Sequence, residues 1–194
     1  TQRMSNLVDN LLLLSELDTD YRRWKLQIDD LRTFVDHWAA KLSVDLRGCL
    51  QVNVTNEAVD YQVQVDRDAF HLILDNLLDN SCRFSSSKPS IQILLIQSNS
   101  FIELQFIDDG PGLQNEEQFA AVFDRFTRIE DHRNAEMTDG GGLGLPLVKS
   151  LMEGMGGSAS CSSPQSPANS GCHGLVVTLR FPRPRLSAGV TNSA

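Results

Sequence analysis

The chain has 194 residues, of which 41% are hydrophobic, and its formal net charge at pH 7 is −8. This length suits one ordinary domain with a short appendage. The acidic balance argues against a nucleic-acid-binding protein, which would carry a basic face, and no stretch approaches the roughly 18 consecutive apolar residues of a membrane span.

The first predicted element is a long amphipathic helix. Apolar residues between Met4 and Leu17 recur every three or four positions, which predicts a helix with a broad apolar stripe that ends near Asp20. Such a stripe at the edge of a domain needs a partner. It could pack on its own domain, but the favoured interpretation is one half of a helical hairpin that dimerises.

Short strands and two helices are predicted next. The strands have apolar residues spaced by two, and the helices have them spaced by three or four. Asp66 is the expected N-cap of the second helix. The predicted ranges in chain order are a strand over 21–27, a helix over 29–41, strands over 50–55 and 61–65, and a helix from 66 that carries Asn76 and Asn80.

The second half of the chain alternates strands with glycine-rich segments. Because its hairpins favour antiparallel pairing, we predict an α+β fold: a mixed, largely antiparallel sheet covered by helices on one face and preceded by the long amphipathic helix. The predicted segments are strands over 91–98 and 101–108 with a tight turn at Asn99-Ser100, a helical or turn segment over 116–126, a mobile polar loop over 127–141, a helix from Pro146 to about Met155, strands over 158–163 and 175–181 around a loop rich in Ser, Pro and Gly, and a disordered tail from 183 to 194.

Asn76 and Asn80 form the first candidate site. They lie four residues apart and share one helix face, where two amide oxygens can bind a hard cation such as Mg²⁺. Arg83 follows in the same helix and could reach a phosphate. Nearby leucines and Cys82 are expected to face the core. Taken alone, the pattern also fits a helix whose polar residues simply face solvent.

Two glycine motifs supply the other candidate sites. Asp108 ends a predicted strand, and its carboxylate could accept a hydrogen bond from an exocyclic amine while Gly110 and Gly112 let a flat base approach the backbone. The run 140–145 opens a helix, so its backbone N–H groups and the helix dipole could hold a phosphate. Each motif is weak by itself. The second is neither a Walker loop nor a Rossmann fingerprint.

In this order, the motifs resemble the catalytic ATP-binding domain of bacterial sensor histidine kinases. The resemblance rests on the asparagine pair, Asp-x-Gly-x-Gly, the Phe-rich segment 122–126 and Gly-x-Gly-Leu-Gly-Leu, and it covers about residues 29–182. That domain belongs to a superfamily with the gyrase, Hsp90 and MutL ATPases. Residues 3–18 look like the second helix of the dimerisation and phosphotransfer hairpin. The implied division is hairpin over 1–20, catalytic domain over 21–182 and tail over 183–194.

The resemblance implies ATP and Mg²⁺ as cofactors and a role for each matching residue. Asn76 and Asn80 would hold Mg²⁺ and the phosphates with help from Arg83, and Asp108 would bind the adenine amino group. Residues 115–139 would form a lid over the nucleotide. The other implied contacts are Gly110 and Gly112 at the base, the lid anchors Phe123 and Phe126, the γ-phosphate partners Arg125 and Arg128, and the phosphate-side hinge and helix start at Gly140, Gly142, Leu143, Gly144 and Leu145.

Asn76 bears on the type of reaction. The related ATPases carry glutamate at this position, and glutamate can act as a general base on water, whereas a carboxamide cannot. Asn76 therefore favours phosphoryl transfer to a histidine over hydrolysis. Two departures from the family pattern, Ser81 where alanine is usual and Pro146 after the glycine run, remove no expected ligand.

The resemblance also implies partners. None of the four histidines stands in the His-acidic-x-x-x-Pro context of an acceptor, so the acceptor is expected upstream of Thr1 and the chain should not phosphorylate itself. A homodimer through the hairpin and a response regulator receiver domain are the expected partners. The expected location is cytoplasmic, with membrane attachment through upstream segments if at all. The alternative is an ATP-binding signalling scaffold without phosphotransfer.

Overall fold

A computed structural model describes residues 2–18, 23–55, 59–85, 88–113, 115–127, 142–164 and 174–184. Helices and strands are interspersed along these ranges, with the long helix first. In chain order the elements are α1 (Gln2–Asp18), β1 (Leu26–Asp30), α2 (Leu31–Lys41), α3 (Val44–Arg47), β2 (Leu50–Val54), β3 (Gln62–Asp66), α4 (Arg67–Phe84), β4 (Ile91–Gln97), β5 (Phe101–Asp108), α5 (Glu116–Ala121), α6 (Gly144–Gly154), β6 (Ser158–Ser162) and β7 (Val176–Pro182).

The strands form one large and one small sheet. The large sheet has the order β2-β4-β5-β7-β6, and the small one pairs β1 with β3. Strands β2 and β4 run parallel, while the other neighbours in both sheets run antiparallel. The predicted α+β class with a mixed, largely antiparallel sheet is therefore confirmed.

The core lies between one face of the large sheet and the helices. Alternate residues of the central strands face it, as in Ile93, Leu104 and Leu179, each 0% exposed. They pack in one cluster with the apolar faces of α2, α4 and α6. The opposite side of each strand carries residues such as Gln92, which is exposed. This period of two places helices on one face of the sheet, as predicted.

Helix α1 divides its apolar residues between the domain and solvent. Leu14 is 0% exposed and belongs to the core, and α1 contacts α6. Upstream, Val8, Leu11 and Leu12 are 51%, 44% and 59% exposed. Packing on its own domain thus accounts for the end of the helix and leaves this upstream stripe uncovered. Of the helices in the described ranges, none is both long and apolar enough to cross a membrane.

Several sequence predictions need correction. The strand predicted over 21–27 starts later, because Leu26–Asp30 pairs with β3 and Asp30 then caps α2 by accepting from the Thr33 N–H at 2.8 Å. The four-residue helix α3 was not predicted, since it is too short to show a period. Cys82 is exposed, not buried: Ser81, 2% exposed, takes the inward position, and Cys82 follows about 100° further round the helix.

The other segment boundaries agree with prediction within a few residues. The turn at Asn99-Ser100 joins β4 to β5, and the Ser98 N–H donates to the Phe101 carbonyl at 2.9 Å. Most of the loop predicted over 127–141, of the loop before β7 and of the tail after 183 lies outside the described residues.

Candidate functional site

Helix α4 presents the asparagine pair because both its start and its apolar face are fixed. The Asp66 carboxylate accepts from the N–H groups of Asp68 and Ala69, each at 3.1 Å, which confirms the predicted N-cap. The apolar face of the helix is in the core, with Ile73 and Leu74 both 0% exposed. The buried face fixes the rotation of α4 about its own axis. This rotation determines the direction in which Asn76 and Asn80 point.

Both asparagine side chains face the first residue of α6. The Asn76 Nδ2 donates to the Leu72 carbonyl at 2.8 Å, which leaves its Oδ1 available. A Cβ placed on Gly144 would lie 3.3 Å from Asn76 Oδ1 and 3.4 Å from Asn80 Oδ1. Gly144 therefore provides the space in which two amide oxygens and a helix N-terminus meet, a combination that suits a cation bound to a phosphate.

The chemistry of these donors fits Mg²⁺ together with a phosphate. The described residues contain no group of three or more His, Cys, Asp or Glu side chains placed to hold a metal ion. A cation beside Asn76 and Asn80 would consequently be completed by phosphate and water oxygens, which is how Mg²⁺ is usually held at sites of phosphoryl transfer.

Asp108 lies at the end of β5 and has one oxygen committed to the fold. Its Oδ1 accepts from the N–H groups of Gly110 at 2.9 Å and Leu175 at 3.2 Å. Its Oδ2 lies 3.2 Å from the hydroxyl of Ser81, whose single proton can be donated to this oxygen or to the Leu77 carbonyl at 3.1 Å. Burial raises the pKa of Asp108, and the three hydrogen bonds partly offset this by lowering it. Oδ2 can still accept a further N–H because a carboxylate oxygen has two lone pairs.

Close backbone contacts surround Asp108. Gly112 has φ +69°, and a Cβ there would lie 2.5 Å from the Gly174 carbonyl oxygen, so both its conformation and its surroundings require glycine. A Cβ on Gly174 would in turn lie 2.2 Å from the Asp108 carbonyl oxygen, and one on Gly110 would lie 3.0 Å from Asp108 Oδ1. The absence of side chains at these three positions lets the backbone of 110–112 and of Gly174 pack closely around the end of β5 and the Asp108 carboxylate.

The Phe-rich segment meets the glycine run through its backbone. Phe126 has φ +63°, and its N–H donates to the Gly142 carbonyl at 3.2 Å. A Cβ on Gly142 would lie 2.8 Å from the Thr127 carbonyl oxygen. The Phe126 ring is 61% exposed, whereas Phe123 is 9% exposed and has the Lys149 ammonium 5.8 Å from its ring centre.

The remaining predicted site residues divide into three groups. Leu143 is 3% exposed and lies in the core, and Leu145 packs against the core. These two residues can therefore contact a ligand only through their backbone groups. Arg83 and Arg125 are exposed. Arg128 and Gly140 lie outside the described residues.

Sequence reasoning missed two contributors to the surroundings of Asp108. Ser81 was treated as a neutral departure, yet its hydroxyl contacts the Asp108 carboxylate. Gly174 was not singled out, although it separates Gly112 from the end of β5. A glycine directly before a predicted strand was the available signal for Gly174. The sequence offers no comparable signal for Ser81, because its partner lies 27 residues away.

In this fold, the Asp108 carboxylate contacts α4 through Ser81, and two carboxamides of α4 face the N-terminus of α6. These are the features of an ATP-binding domain. Residues 65–185 match the family model for histidine kinase-, DNA gyrase B- and HSP90-like ATPases. The chain belongs to this family, and within it to the ATP-binding catalytic domains of sensor histidine kinases.

Two curated relatives illustrate the similarity. The sensor protein KdpD of Clostridium acetobutylicum is 26% identical over 188 residues, which cover 94% of this chain and 19% of KdpD. The histidine-protein kinase BaeS of Escherichia coli is 33% identical over 120 residues, which cover 62% of this chain and 24% of BaeS. The chain thus spans a quarter or less of the length of these relatives.

Solved structures share the fold. The histidine kinase AdeS of Acinetobacter baumannii superposes with a TM-score of 0.68 at 20% identity, covering 93% of this chain and 79% of that one. The histidine kinase ThkA, solved in complex with the response regulator protein TrrA, gives a TM-score of 0.64 at 17% identity and covers 92% of this chain and 48% of ThkA.

Proposed function

We propose that this chain transfers the γ-phosphoryl group of ATP to a histidine outside its 194 residues, for relay to an aspartate of a response regulator. The observation that carries the proposal is the convergence of Asn76 and Asn80 on Gly144. This convergence supports the proposal because it brings two neutral carboxamides, which can act as metal ligands, to the N-terminus of a helix, with no carboxylate at either position. Asp108 supports the adenine end, since its Oδ2 can accept from an exocyclic amine.

The assignment of roles follows from these positions. ATP supplies the phosphoryl group. Asp108 would fix the base, and Asn76 and Asn80 would hold Mg²⁺, which would supply positive charge to the phosphates. The N–H groups at the start of α6, freed by Gly142 and Gly144, bind phosphate oxygens. Of the arginines, Arg83 and Arg125 carry charge near the phosphates, with Arg128 and Gly140 assigned to the same end from the sequence motif.

Asn76 determines which nucleophile the site can use. A carboxamide does not accept a proton from water at neutral pH, so this side chain cannot activate water as a general base. Positioning and charge stabilisation remain. These suffice for in-line transfer to a nucleophile that needs no proton removed before it attacks, such as the unprotonated nitrogen of a neutral imidazole. We therefore expect slow hydrolysis of bound ATP and efficient transfer only when a histidine is presented.

The partners follow from α1 and from the relatives. Val8, Leu11 and Leu12 share one side of α1 and are exposed, which supports residues 1–20 as part of a helical hairpin that forms a homodimer, followed by a catalytic domain over 21–182. The complex of ThkA with TrrA supports a response regulator as the receiving partner. We assign the chain to the cytoplasm, where ATP is available.

Incubation with γ-labelled ATP and Mg²⁺ tests the proposal. The chain alone should bind ATP, release phosphate slowly and acquire no acid-labile label. The full-length protein should acquire an acid-labile, alkali-stable phosphohistidine. Label on the isolated chain would place the acceptor among its own histidines. ATP binding with no phosphohistidine in the full-length protein would instead favour the signalling scaffold.

A further inference from the structure

A cavity lies between α2 and α4, at residues that the candidate nucleotide site does not use. It has a volume of about 400 Å³ and is lined by Phe34, His37, Ala40, Lys41, Arg67 and His71. The size lies within the range of small-molecule sites. Nothing in the phosphotransfer proposal uses these residues.

Packing of the two helices creates this cavity. Phe34 of α2 stacks on Phe70 and on His71 of α4, with ring centres 4.8 and 4.7 Å apart. Further along, Trp38 Nε1 donates to the Asp75 carboxylate at 2.8 Å. These contacts hold the helices together beside a half-open space that Phe34 helps to line. The ring is 5% exposed, and the Arg67 guanidinium lies 5.9 Å from its centre.

The rim of the cavity is basic in a protein of net charge −8. Lys41 and the imidazoles of His37 and His71 are not in an ion pair with any carboxylate of the described residues. Arg67 is partly neutralised by its two hydrogen bonds to Asp29, at 2.7 and 2.9 Å. Burial lowers the pKa of the His71 imidazole, and two carboxylates, those of Asp75 and Asp68, act on it in the opposite direction and raise it by a smaller amount. Asp75 also accepts from Trp38, and Asp29 is paired with Arg67.

We propose that this cavity binds a small organic anion with a flat apolar part, such as an aromatic carboxylate. The flat part would lie against Phe34 and the methyl group of Ala40, as aromatic surfaces favour offset or tilted stacking. The carboxylate would be held by Lys41 and by N–H donors of the two imidazoles. The pocket is separate from the nucleotide site: His71 and Asn76 are five residues apart on α4, about 140° around the helix.

Calorimetric titration with 1-naphthoate tests this site. Saturable binding is expected, at least tenfold tighter than that of the uncharged 1-naphthalenemethanol, and it should weaken as salt is added. Lys41→Gln should weaken naphthoate binding at least fivefold. Ala40→Glu, at an exposed helical position, should abolish it by adding a negative charge and bulk. Lys88→Gln is the matched control, since Lys88 is an exposed lysine beside Asp45, and should change affinity less than twofold.

Several results would overturn the proposal. They are the absence of saturable naphthoate binding, equal binding of the alcohol, and binding unaffected by both Lys41→Gln and Ala40→Glu. Displacement of naphthoate by ADP would also overturn it, because the compound would then occupy the nucleotide site. Circular dichroism of each variant checks that the fold is retained. The outcome is independent of whether the chain is a kinase.

Discussion

Replacing Asp108 by asparagine isolates the recognition of adenine. In the folded chain, Oδ1 accepts from two backbone N–H groups, so the asparagine oxygen should take that place and its NH₂ group should take the place of Oδ2. A donor would then face the donating amine of adenine. The variant should lose the binding free energy of a hydrogen bond to a charged group, about 1.5–3 kcal/mol. Its dissociation constant for the nucleotide should therefore be roughly 10- to 150-fold higher.

The measurement is calorimetric titration of both proteins with ADP and Mg²⁺. Asp109→Asn is the matched control, because the neighbouring Asp109 is exposed and its Oδ1 accepts from the Ser90 N–H at 2.9 Å. The control should bind ADP within twofold of the original chain. Equal affinities of the Asp108→Asn and Asp109→Asn variants, with both folded, would refute the assignment of the base pocket.

The same substitution has a consequence for stability. Burial raises the pKa of Asp108 above its ordinary value of 3.8, so the folded protein holds this proton more tightly than the unfolded chain. The free energy of unfolding therefore contains a contribution that is complete below pH 3.8 and is lost as the pH rises through the folded pKa. Asparagine does not titrate. Relative to the original chain, Asp108→Asn should gain stability as pH rises through this window, measured by urea denaturation; a constant difference would contradict this.

Two further substitutions test the structure elsewhere. Gly144→Ala places a methyl group 3.3–3.4 Å from both carboxamides. It should weaken binding of ADP with Mg²⁺ several-fold in calorimetry without lowering the melting temperature. The control Gly48→Ala, whose Cβ would have ordinary contacts of 3.5 Å or more, should leave binding unchanged. Leu14→Ala truncates a side chain that is 0% exposed and should lower the free energy of unfolding, measured by urea denaturation, by about 2–4 kcal/mol. Leu12→Ala, at a position 59% exposed, should lower it by less than about 0.5 kcal/mol. Equal losses of stability would show that α1 does not pack as described.

Local patterns explain most of what the sequence could predict. The helix that starts after Asp66 and the shared face of Asn76 and Asn80 depend on spacings of three and four residues, which are visible in the sequence. The contact of Ser81 with Asp108 was not predictable, because it depends on how a helix and a strand pack. Cys82 was placed in the core by the same period, which defines a face only to within about one residue.

The contacts at the two ends of α6 show which features local sequence patterns can predict and which they cannot. The glycines that open the helix were read from the sequence as a phosphate-binding run. The glycine at its other end, Gly154, carried no such signal, yet a Cβ there would lie 2.0 Å from the Trp24 ring. Its partner lies in the connection that leads from α1 to β1, more than a hundred positions earlier in the chain.

Gly144 and Gly154 together constrain the number of residues in α6. Each provides room for another part of the protein, the carboxamides at one end and an indole at the other. One residue inserted between them would turn Gly154 by about 100° and shift it about 1.5 Å along the axis, so that a side chain would meet Trp24. The length of this helix, counted in residues, is therefore as constrained as the identity of any side chain in the site.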